Sequence, residues 1–502
     1  MIFNHICGLH GETMDKKNLI RFDNTYATLP ENFYTKVSPA KVHHPKLLLW
    51  NEALAEQLGF TKGLFSNEEL AKVFSGQQLL ESSIPLAMTY AGHQFGHFVP
   101  QLGDGRAILL GELLSPTGHR HDIQLKGAGI TPYSRNGDGL AALGPILREY
   151  IVSEAMFHLG VPTTRALAAV STEKLVYRDT VAPGAILTRV ASSHIRIGHF
   201  EYFAARRDIE NLKILAGYSI HRHFPEIENS SDLYLLFFQK VVAAQARLIA
   251  HWMDIGFIHG VMNTDNMLIS GETLDYGPCA FMDDFNFNQV FSSIDKGGRY
   301  AYINQATVAQ WNLARLADCL LPLMESDSSR AVQLLENELS NFIIQFEEHW
   351  LKRMRLKLGF LTAESQDYEL IKKWLEYLHA EKLDYTSSFQ NLANLLSLDS
   401  MPSGFKKTSL FKDFELLWRQ RLKVQPFDNT AVKLAMAQVN PIYIPRNHQI
   451  ERAIQGALSE DLSIFHEMVE MLKNPFLEQN RYEIYKQPPR PEERVHATFC
   501  GT

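Results

Sequence analysis

Hydrophobic and polar residues follow two different patterns along this chain, and the change falls near residue 200. Before it, short apolar runs bounded by glycine and polar turns predict β-strands at residues 107–110, 121–126, 174–178 and 185–190. After it, apolar residues recur at helical spacing over longer stretches, beginning with residues 233–255. The pattern therefore predicts an α+β protein in which a strand-rich part precedes a helix-rich part.

Two helices and a hairpin complete this outline. Residues 45–58 have helical spacing, and residues 141–159 form a second helical run that Gly160 closes. Further along, residues 267–269 and 273–275 are predicted to form the two strands of a short hairpin. This hairpin would bring the polar residues on either side of it together.

The composition is that of a large globular protein. A chain of 502 residues is too long to form a single small hydrophobic core, so a large domain plus a second one is expected. The formal net charge of −7 argues against general nucleic-acid binding. No apolar run is expected to span a bilayer, because even residues 233–255 contain Lys240 and Arg247. With four cysteines and no basic-then-apolar leader pattern, the chain is expected in the cytoplasm, without nucleic-acid or membrane partners.

The most informative polar stretch is His-Gly-Val-Met-Asn-Thr-Asp-Asn at residues 259–266, followed by Asp-Tyr-Gly from Asp275. Two carboxylates, of Asp265 and Asp275, and the amide oxygen of Asn266 suit Mg²⁺, which prefers oxygen ligands. Protein kinases have a similar layout, H-R-D-x-x-x-x-N and then D-F-G. Their catalytic aspartate would fall at Val261, which cannot accept a proton. The stretch predicts a metal and phosphate site without the usual base; the alternative is a polar hairpin that only forms turns.

Upstream residues follow the kinase order. The turn Leu-Gly-Asp-Gly-Arg contains Gly103 and Gly105, whose backbone N–H groups could approach phosphates, and Arg106 could add a charged contact. Lys126 ends the next predicted strand, and Glu149 lies on the helix that follows. In kinases such a lysine holds phosphates and pairs with such a glutamate. The alternative is a lysine and a glutamate on the surface.

Two arginines come next. Arg189 lies on a predicted strand and Arg196 follows it closely, so the two could clamp a polyphosphate. Surface ion pairing is the alternative. Residues 133–139 could close over a nucleotide or form only a turn. His93 and His97 have the spacing of a zinc pair, but the glycines beside them favour ordinary hydrogen-bonded histidines.

In these motifs the chain resembles the selenoprotein O (SelO/YdiU) family of kinase-like proteins. The resemblance spans residues 85–325 and is carried by specific stretches. They are Tyr-Ala-Gly-His-Gln-Phe-Gly from Tyr90, Leu-Gly-Asp-Gly-Arg from Leu102, Gln-Leu-Lys-Gly from Gln124, Thr-Pro-Tyr-Ser-Arg from Thr131, Leu-Arg-Glu-Tyr from Leu147, His-Gly-Val-Met-Asn-Thr-Asp-Asn from His259 and Leu-Asp-Tyr-Gly-Pro from Leu274.

The resemblance implies a protein-kinase-like, two-lobed fold that binds its nucleotide in reverse orientation. Residues 1–80 would be a preface, 81–200 the strand-rich lobe, 201–330 the helical lobe with the catalytic loop, and 331–502 a helical extension with a proline-rich tail. The implied activity is transfer of AMP from ATP to Ser, Thr or Tyr hydroxyls of proteins, and also of UMP from UTP.

The resemblance also implies a role for each motif residue. Asp265 would be the proton acceptor, Asn266 and Asp275 would hold Mg²⁺ or Mn²⁺, and Glu149 would pair with Lys126. The residues implied to contact ATP are Gly103, Gly105, Arg106, Lys126, Asp138, Gly139, Arg189, Arg196 and Asp275. Two other functions stay open: a nucleotide-binding scaffold without turnover, and a small-molecule kinase, which the valine at position 261 disfavours.

Two cysteines suggest redox control. Cys279 follows the Asp-Tyr-Gly motif closely, and Cys500 lies at the end of the proline-rich tail. Some members of the resembled family carry selenocysteine at the place of Cys500. We expect these two residues to form a regulatory disulfide; the alternative is two unrelated thiols.

Overall fold

The computed structural model describes residues 20–178, 180–324, 327–397 and 404–499. Its strands are β1 (Tyr34–Lys36), β2 (Lys46–Trp50), β3 (Leu86–Met88), β4 (Gly92–Gln94), β5 (His97–Val99), β6 (Ala107–Leu114), β7 (Arg120–Lys126), β8 (Ala141–Ala142), β9 (Arg165–Tyr177), β10 (Val181–Ala191), β11 (Phe257–Ile258) and β12 (Ala280–Phe281). Its helices are α1 (Glu52–Gln57), α2 (Asn67–Phe74), α3 (Leu143–His158), α4 (Ile197–Ala205), α5 (Ile209–His223), α6 (Leu233–Asp254), α7 (Gln305–Leu320), α8 (Ser328–Lys357), α9 (Asp367–Glu381), α10 (Tyr385–Asn394), α11 (Ser409–Val424), α12 (Asn429–Val439), α13 (Asn447–Leu458) and α14 (Ser463–Leu472).

One antiparallel sheet organises the strand-rich part. Its strand order is β1-β3-β6-β7-β10-β9-β2, and β8 pairs with β10 at one end. Leu187 of β10 lies opposite Lys126 of β7, and Arg189 lies opposite Gln124. Since side chains two residues apart point to the same face of a strand, Lys126 and Arg189 emerge as diagonal neighbours on one face.

The two faces of the sheet pack into different cores. Ile108 and Leu110 of β6 belong to a core on the side of α1 and α2, whereas Leu109 between them faces the other side. That second core includes α3 and continues through α6 and α7 into the C-terminal helices. The alternation of buried residues therefore places the sheet between two short helices and the main body of the protein.

The mixed composition of sheet and helices agrees with the predicted order, strands first and helices afterwards. The helix predicted at residues 141–159 is confirmed as α3, and the run at 233–255 as α6. Among the described residues, α6 is also long and apolar enough to cross a membrane, contrary to the expectation from its charged residues. Most of α6 is buried in the core, however, and a core helix passes the same test of length and composition, so this is weak support for a span.

Two local predictions are wrong. Residues 45–58 are not one helix: Lys46–Trp50 pairs with β9 as a strand, and only Glu52–Gln57 is helical, with Asn51 as its N-cap. The stretches 267–269 and 273–275 do not pair with each other. Leu268 bridges to Arg196 and Thr273 to Thr163 instead. In both cases pairing with a distant strand or loop outweighs the local pattern.

Candidate active site

A cavity of about 400 Å³ lies between the sheet and the loop that follows β11. It brings together the residues predicted from the sequence to bind nucleotide and metal. They are Gly103, Gly105, Arg106, Lys126, Asp138, Gly139, Arg189, Arg196, Asp265, Asn266 and Asp275. Glu149 is the predicted residue absent from the lining; it is buried behind Lys126 and Arg189. Residues scattered over more than 170 positions thus share one cavity.

The floor of the cavity is a network of opposite charges. Lys126 Nζ lies 2.5 Å from Glu149 Oε2 and 3.1 Å from Asp275 Oδ1. Arg189 donates to the same two carboxylates, through Nε to Glu149 and through Nη2 to Asp275. The predicted pairing of Lys126 with Glu149 is therefore confirmed, and Arg189 is a buried member of this network rather than a surface residue.

Asp275 is held ionised by this network. Burial alone would raise its pKa, but Arg189, Lys126 and Arg196 together hold the pKa well below its usual range. Its backbone has φ of 63°, a left-handed conformation that residues other than glycine rarely adopt. Such strained positions cluster at functional sites, and here the conformation directs the carboxylate toward three cations.

Arg196 connects two segments of the cavity: the loop at residues 259–266, here named the catalytic loop, and the glycine turn at residues 102–106. Its Nη1 donates to the backbone oxygen of Asp265 at 2.8 Å, and its Nη2 lies 3.4 Å from Asp104 Oδ1. The guanidinium also lies over the Tyr90 ring, 4.6 Å from the ring centre. Asp104 in turn accepts from the backbone N–H of Met88 at 3.1 Å. Asp104 and Tyr90 were not among the site residues predicted from the sequence, because neither has a chemical role that local spacing reveals.

The glycines of the turn are required by close packing. Gly103 has φ of 108°, and a Cβ there would collide with the Tyr133 ring. A Cβ at Gly105 would lie 2.8 Å from the backbone oxygen of Tyr133. The loop at 133–139 therefore packs directly on the glycine turn, and both line the cavity.

Asp138 lies on the rim of the cavity and is paired there. Its carboxylate accepts two hydrogen bonds from Arg178, at 2.8 and 2.9 Å, and one from the backbone N–H of Leu140 at 3.0 Å. The hydrogen bonds from Arg178 lower the pKa of Asp138 to about 2. Arg178, at the tip of the β9–β10 hairpin, is a rim residue that the sequence did not reveal.

Asp265 is in the opposite situation to Asp275. Burial raises its pKa to about 6, although Arg196 and a hydrogen bond from Gln94 act against the shift. Gln94 Nε2 donates to Asp265 Oδ2 at 3.2 Å, while Oδ1 is buried and has no hydrogen-bond partner among the described residues. Val261, at the kinase base position, lines the same cavity with its apolar side chain.

The remainder of the loop is held from behind. His259 donates through Nε2 to the backbone oxygen of Leu274 at 2.8 Å and stacks on Trp252 at 5.3 Å. This ties the two polar motifs together at residues 259–266 and 275–277. His93 is hydrogen-bonded to Glu201, and within the described residues no cluster of three or more His, Cys, Asp or Glu side chains could hold a metal. The expected hydrogen bonding of His93 is thus confirmed.

The oxygen donors of the catalytic loop fit a hard cation. Asn266 uses its Nδ2 to donate to the Val261 backbone oxygen at 3.0 Å, which leaves its amide oxygen for a ligand. The neighbouring cations keep the carboxylate of Asp275, which lines the same cavity, ionised. Mg²⁺ and Mn²⁺ favour such carboxylate and amide oxygens and share them with phosphates.

The two cysteines of the redox hypothesis are not both described. Cys279 is buried next to the catalytic motifs. Cys500 lies outside the described residues, so the disulfide stays a prediction. Thr498, just before it, donates to the backbone oxygen of Pro278 at 2.6 Å. The last described residues therefore reach the segment that contains Cys279.

Comparison with known proteins gives a consistent result over almost the whole chain. A family model described as protein adenylyltransferase SelO matches residues 17–473. A protein nucleotidyltransferase YdiU from Rhizobium rhizogenes is 51% identical over 98% of this chain and 99% of its own length. Its namesake from Rhodopseudomonas palustris is 51% identical over 96% and 99%, and that from Bacillus cereus is 51% identical over 96% and 98%.

Proposed function

Because the chain belongs to the SelO family of protein adenylyltransferases, we propose that it transfers AMP from ATP to Ser, Thr or Tyr hydroxyls of proteins. The chain is a protein nucleotidyltransferase by family; the acceptor residues, the metal and the orientation of the nucleotide are the proposal. The observation that carries it is Asp265, a carboxylate that lines the same cavity as three cations, while valine occupies the kinase base position.

The cavity supports a reversed nucleotide within a kinase-like, two-lobed fold. In this orientation the β- and γ-phosphates bind where the positive charge of the cavity is concentrated, at Lys126, Arg189 and Arg196. The α-phosphate then lies toward Asp265. Arg106 and the backbone of the glycine turn contribute further contacts to the phosphates, and Asp138 and Gly139 contact the nucleotide at the rim. UTP fits the same phosphate contacts and is a second donor under this proposal.

The chemistry requires one proton transfer and one displacement. The hydroxyl oxygen of the substrate attacks the α-phosphorus, and Asp265 takes the hydroxyl proton. The bond between the α-phosphorus and the bridging oxygen to the β-phosphate breaks, and its electron pair leaves with pyrophosphate. Lys126 and the two arginines stabilise the charge that develops on this leaving group. General-base catalysis by Asp265 contributes about 10²–10⁴ in rate.

A divalent metal ion completes the proposal. Asn266 and Asp275 would hold Mg²⁺ or Mn²⁺. When bound, the ion supplies charge neutralisation at the phosphate oxygens. Lys126, Arg189 and Arg196, which contact Asp275, would neutralise further phosphate charge beside the ion. The reaction is proposed to take place in the cytoplasm, where ATP and protein substrates are present.

Two labels distinguish this function from its alternatives. The protein is incubated with Mg²⁺ or Mn²⁺, a mixed protein substrate and ATP labelled on either the α- or the γ-phosphate. Label from the α position on protein, with release of pyrophosphate, is expected for AMP transfer. Transfer of the γ label would indicate a kinase, and binding without transfer of either label would indicate a scaffold. Asp265→Asn serves as the background control, because it removes the base and keeps the shape of the side chain.

A further inference from the structure

Strand β4 and the residue after it contact the catalytic loop residue by residue. The backbone N–H of His93 donates to Thr264 Oγ1 at 2.7 Å, and that of Phe95 donates to Asn263 Oδ1 at 3.1 Å. Between them, the side chain of Gln94 reaches Asp265. We refer to residues 92–95 as the clamp. Its three contacts fall on three consecutive loop residues, so the position of the loop is set by this strand.

The loop side of this contact is also fixed. Thr264 donates its hydroxyl proton to Glu201, which accepts from His93 as well. The hydroxyl of Tyr300 donates to Asn263 Oδ1 at 2.6 Å. The side chains of Asn263 and Thr264, the two residues before Asp265, therefore have partners of their own. Rotation of the Asp265 carboxylate is then controlled by the groups that touch its own two oxygens.

Those two oxygens are in different environments. Oδ2 accepts from Gln94 Nε2 at 3.2 Å, whereas Oδ1 is buried without a partner among the described residues. Oδ1 lies against Gly92: a Cβ built on Gly92 would be 2.9 Å from it and 3.0 Å from the Cβ of Asp265. Gly92 does not have a positive φ, so its backbone conformation does not require glycine. Glycine is required there because an added Cβ would occupy the space next to the Asp265 carboxylate.

We propose that Gln94 and Gly92 are positioning residues for the reaction: Gln94 holds Oδ2 of Asp265 and Gly92 leaves room for Oδ1, so that together they set the orientation of the carboxylate that takes the substrate proton. This inference rests on the proposed AMP transfer and specifies which residues hold its base in place. The hydrogen bond from the Gln94 amide favours one orientation of the carboxylate, and the close approach of Gly92 leaves space for that orientation.

The first test replaces Gln94 by methionine, which has similar length and no hydrogen-bond donor. Loss of a hydrogen bond to a charged group is expected to lower kcat for AMP transfer by about 10- to 100-fold. KM for ATP should stay within about twofold, because Gln94 holds the base and makes no contact assigned to the nucleotide. Gln94→Glu should lower kcat further, since it places a second carboxylate against Asp265. If methionine supports the parental kcat, only the bulk of the side chain matters and the proposal is wrong.

The second test is Gly92→Ala. Its methyl group would displace Asp265, so kcat is expected to fall by about 10-fold or more while ATP binding persists. Gly217→Ala is the matched control: Gly217 is an exposed glycine on α5 with no atom within 4 Å of an added Cβ, and its substitution should leave kcat unchanged. Equal rates for Gly92→Ala and Gly217→Ala would overturn the role of Gly92.

A structural measurement separates this inference from the proposed function. Crystal structures of the parent and of Gln94→Met are compared for the torsion angles of the Asp265 side chain. A rotated or disordered carboxylate in the variant is expected, and an unchanged one would contradict positioning by Gln94. This comparison gives its result even if the parent protein transfers no α label, an outcome that would refute AMP transfer alone.

Discussion

Asp275 and Asp265 line the same cavity and have opposite acid–base properties. Both are desolvated, which by itself raises the pKa of a carboxyl group. Asp275 is in contact with Lys126, Arg189 and Arg196, and its pKa lies well below the usual range. Asp265 is touched by one neutral amide on one oxygen, and its pKa is raised to about 6.

Under the proposed function, this difference allows the two acids of one cavity to have two roles. A carboxylate surrounded by cations stays charged and holds those cations in place, but it is a weak base. A carboxylate kept apart from direct cation contact binds a proton more readily. Pairs of acids whose pKa values are pushed apart mark the division of labour in many active sites. The following predictions test that division, from the largest effect to the smallest.

Asp275→Ala should have the largest effect. It removes the carboxylate that compensates Lys126, Arg189 and Arg196, together with a proposed metal ligand. We expect transfer of α label to fall to background and metal-dependent binding of ATP, measured by calorimetry, to be lost. Asp318→Asn, an exposed residue on α7, is the control and should resemble the parent. Full ATP binding by Asp275→Ala would contradict the role given to the charged floor.

Asp265→Asn should be more selective. The amide keeps the shape of the side chain but cannot accept the substrate proton, so kcat should fall by about 10²–10⁴. Binding of ATP, measured in the same calorimeter, should change little because the phosphates are held by the cations of the floor. Transfer at the parental rate would show that another group takes the proton, and loss of ATP binding would remove the contrast between the two acids.

Arg189→Gln and Arg196→Gln examine the cations themselves. If both arginines hold the distal phosphates, each substitution should weaken binding of ATP by about 1.5–3 kcal/mol, with a smaller change for AMP. Titration of both nucleotides gives the comparison. Arg120→Gln, in an ion pair with Asp23 at the opposite end of β7, is the control. Equal losses for ATP and AMP would favour the ordinary kinase orientation of the nucleotide.

Glu272→Gln should affect stability alone. Glu272 accepts hydrogen bonds from Ser192 and Ser270, and desolvation raises its pKa to about 7 from the ordinary 4.5. A raised pKa means that the folded state binds the proton more tightly than the unfolded state. The contribution of Glu272 to the free energy of unfolding is therefore complete below about pH 4.5 and is lost as the pH rises through 7.

Melting temperatures measured across this pH range should fall less steeply for Glu272→Gln than for the parent. AMP transfer by this variant at neutral pH should match that of the parent. A loss of AMP transfer would mean that Glu272 also contributes to the reaction. Asp265 would then not be the only carboxyl group of raised pKa that the reaction needs. An unchanged pH dependence of the melting temperature would assign the protonation to another group.

The sequence predicted the members of the site better than their contacts. The order of Gly103, Lys126 and Asp275 along the chain was enough to place them in one cavity, with Glu149 paired behind Lys126, because each belongs to a motif with a known use of its residue type. Residues 46–50 were assigned to a helix because their three leucines suit either element. Pairing with β9, which no local pattern encodes, made them a strand.

Gln94 shows why the remainder could not be predicted. A glutamine between histidine and phenylalanine has no spacing that signals a role, and its partner is 171 residues away. The need for glycine at position 92 becomes apparent only in the folded structure, where the Asp265 side chain lies next to it. Arg178 and Asp104 were missed for the same reason, since their importance lies in a long-range contact rather than in a motif.

The distance between the clamp and the catalytic loop has a consequence for synthesis. A ribosome adding about 5–20 residues per second needs roughly 10 to 30 s to proceed from Gln94 to Asp265. Once residue 196 has been added, the nascent chain contains the glycine turn, Lys126 and both arginines, but not yet the proposed base. Under the proposed function, prematurely terminated chains that end in this interval are therefore unable to modify the proteins around them, and catalysis is delayed until the Asp-Tyr-Gly motif has been translated.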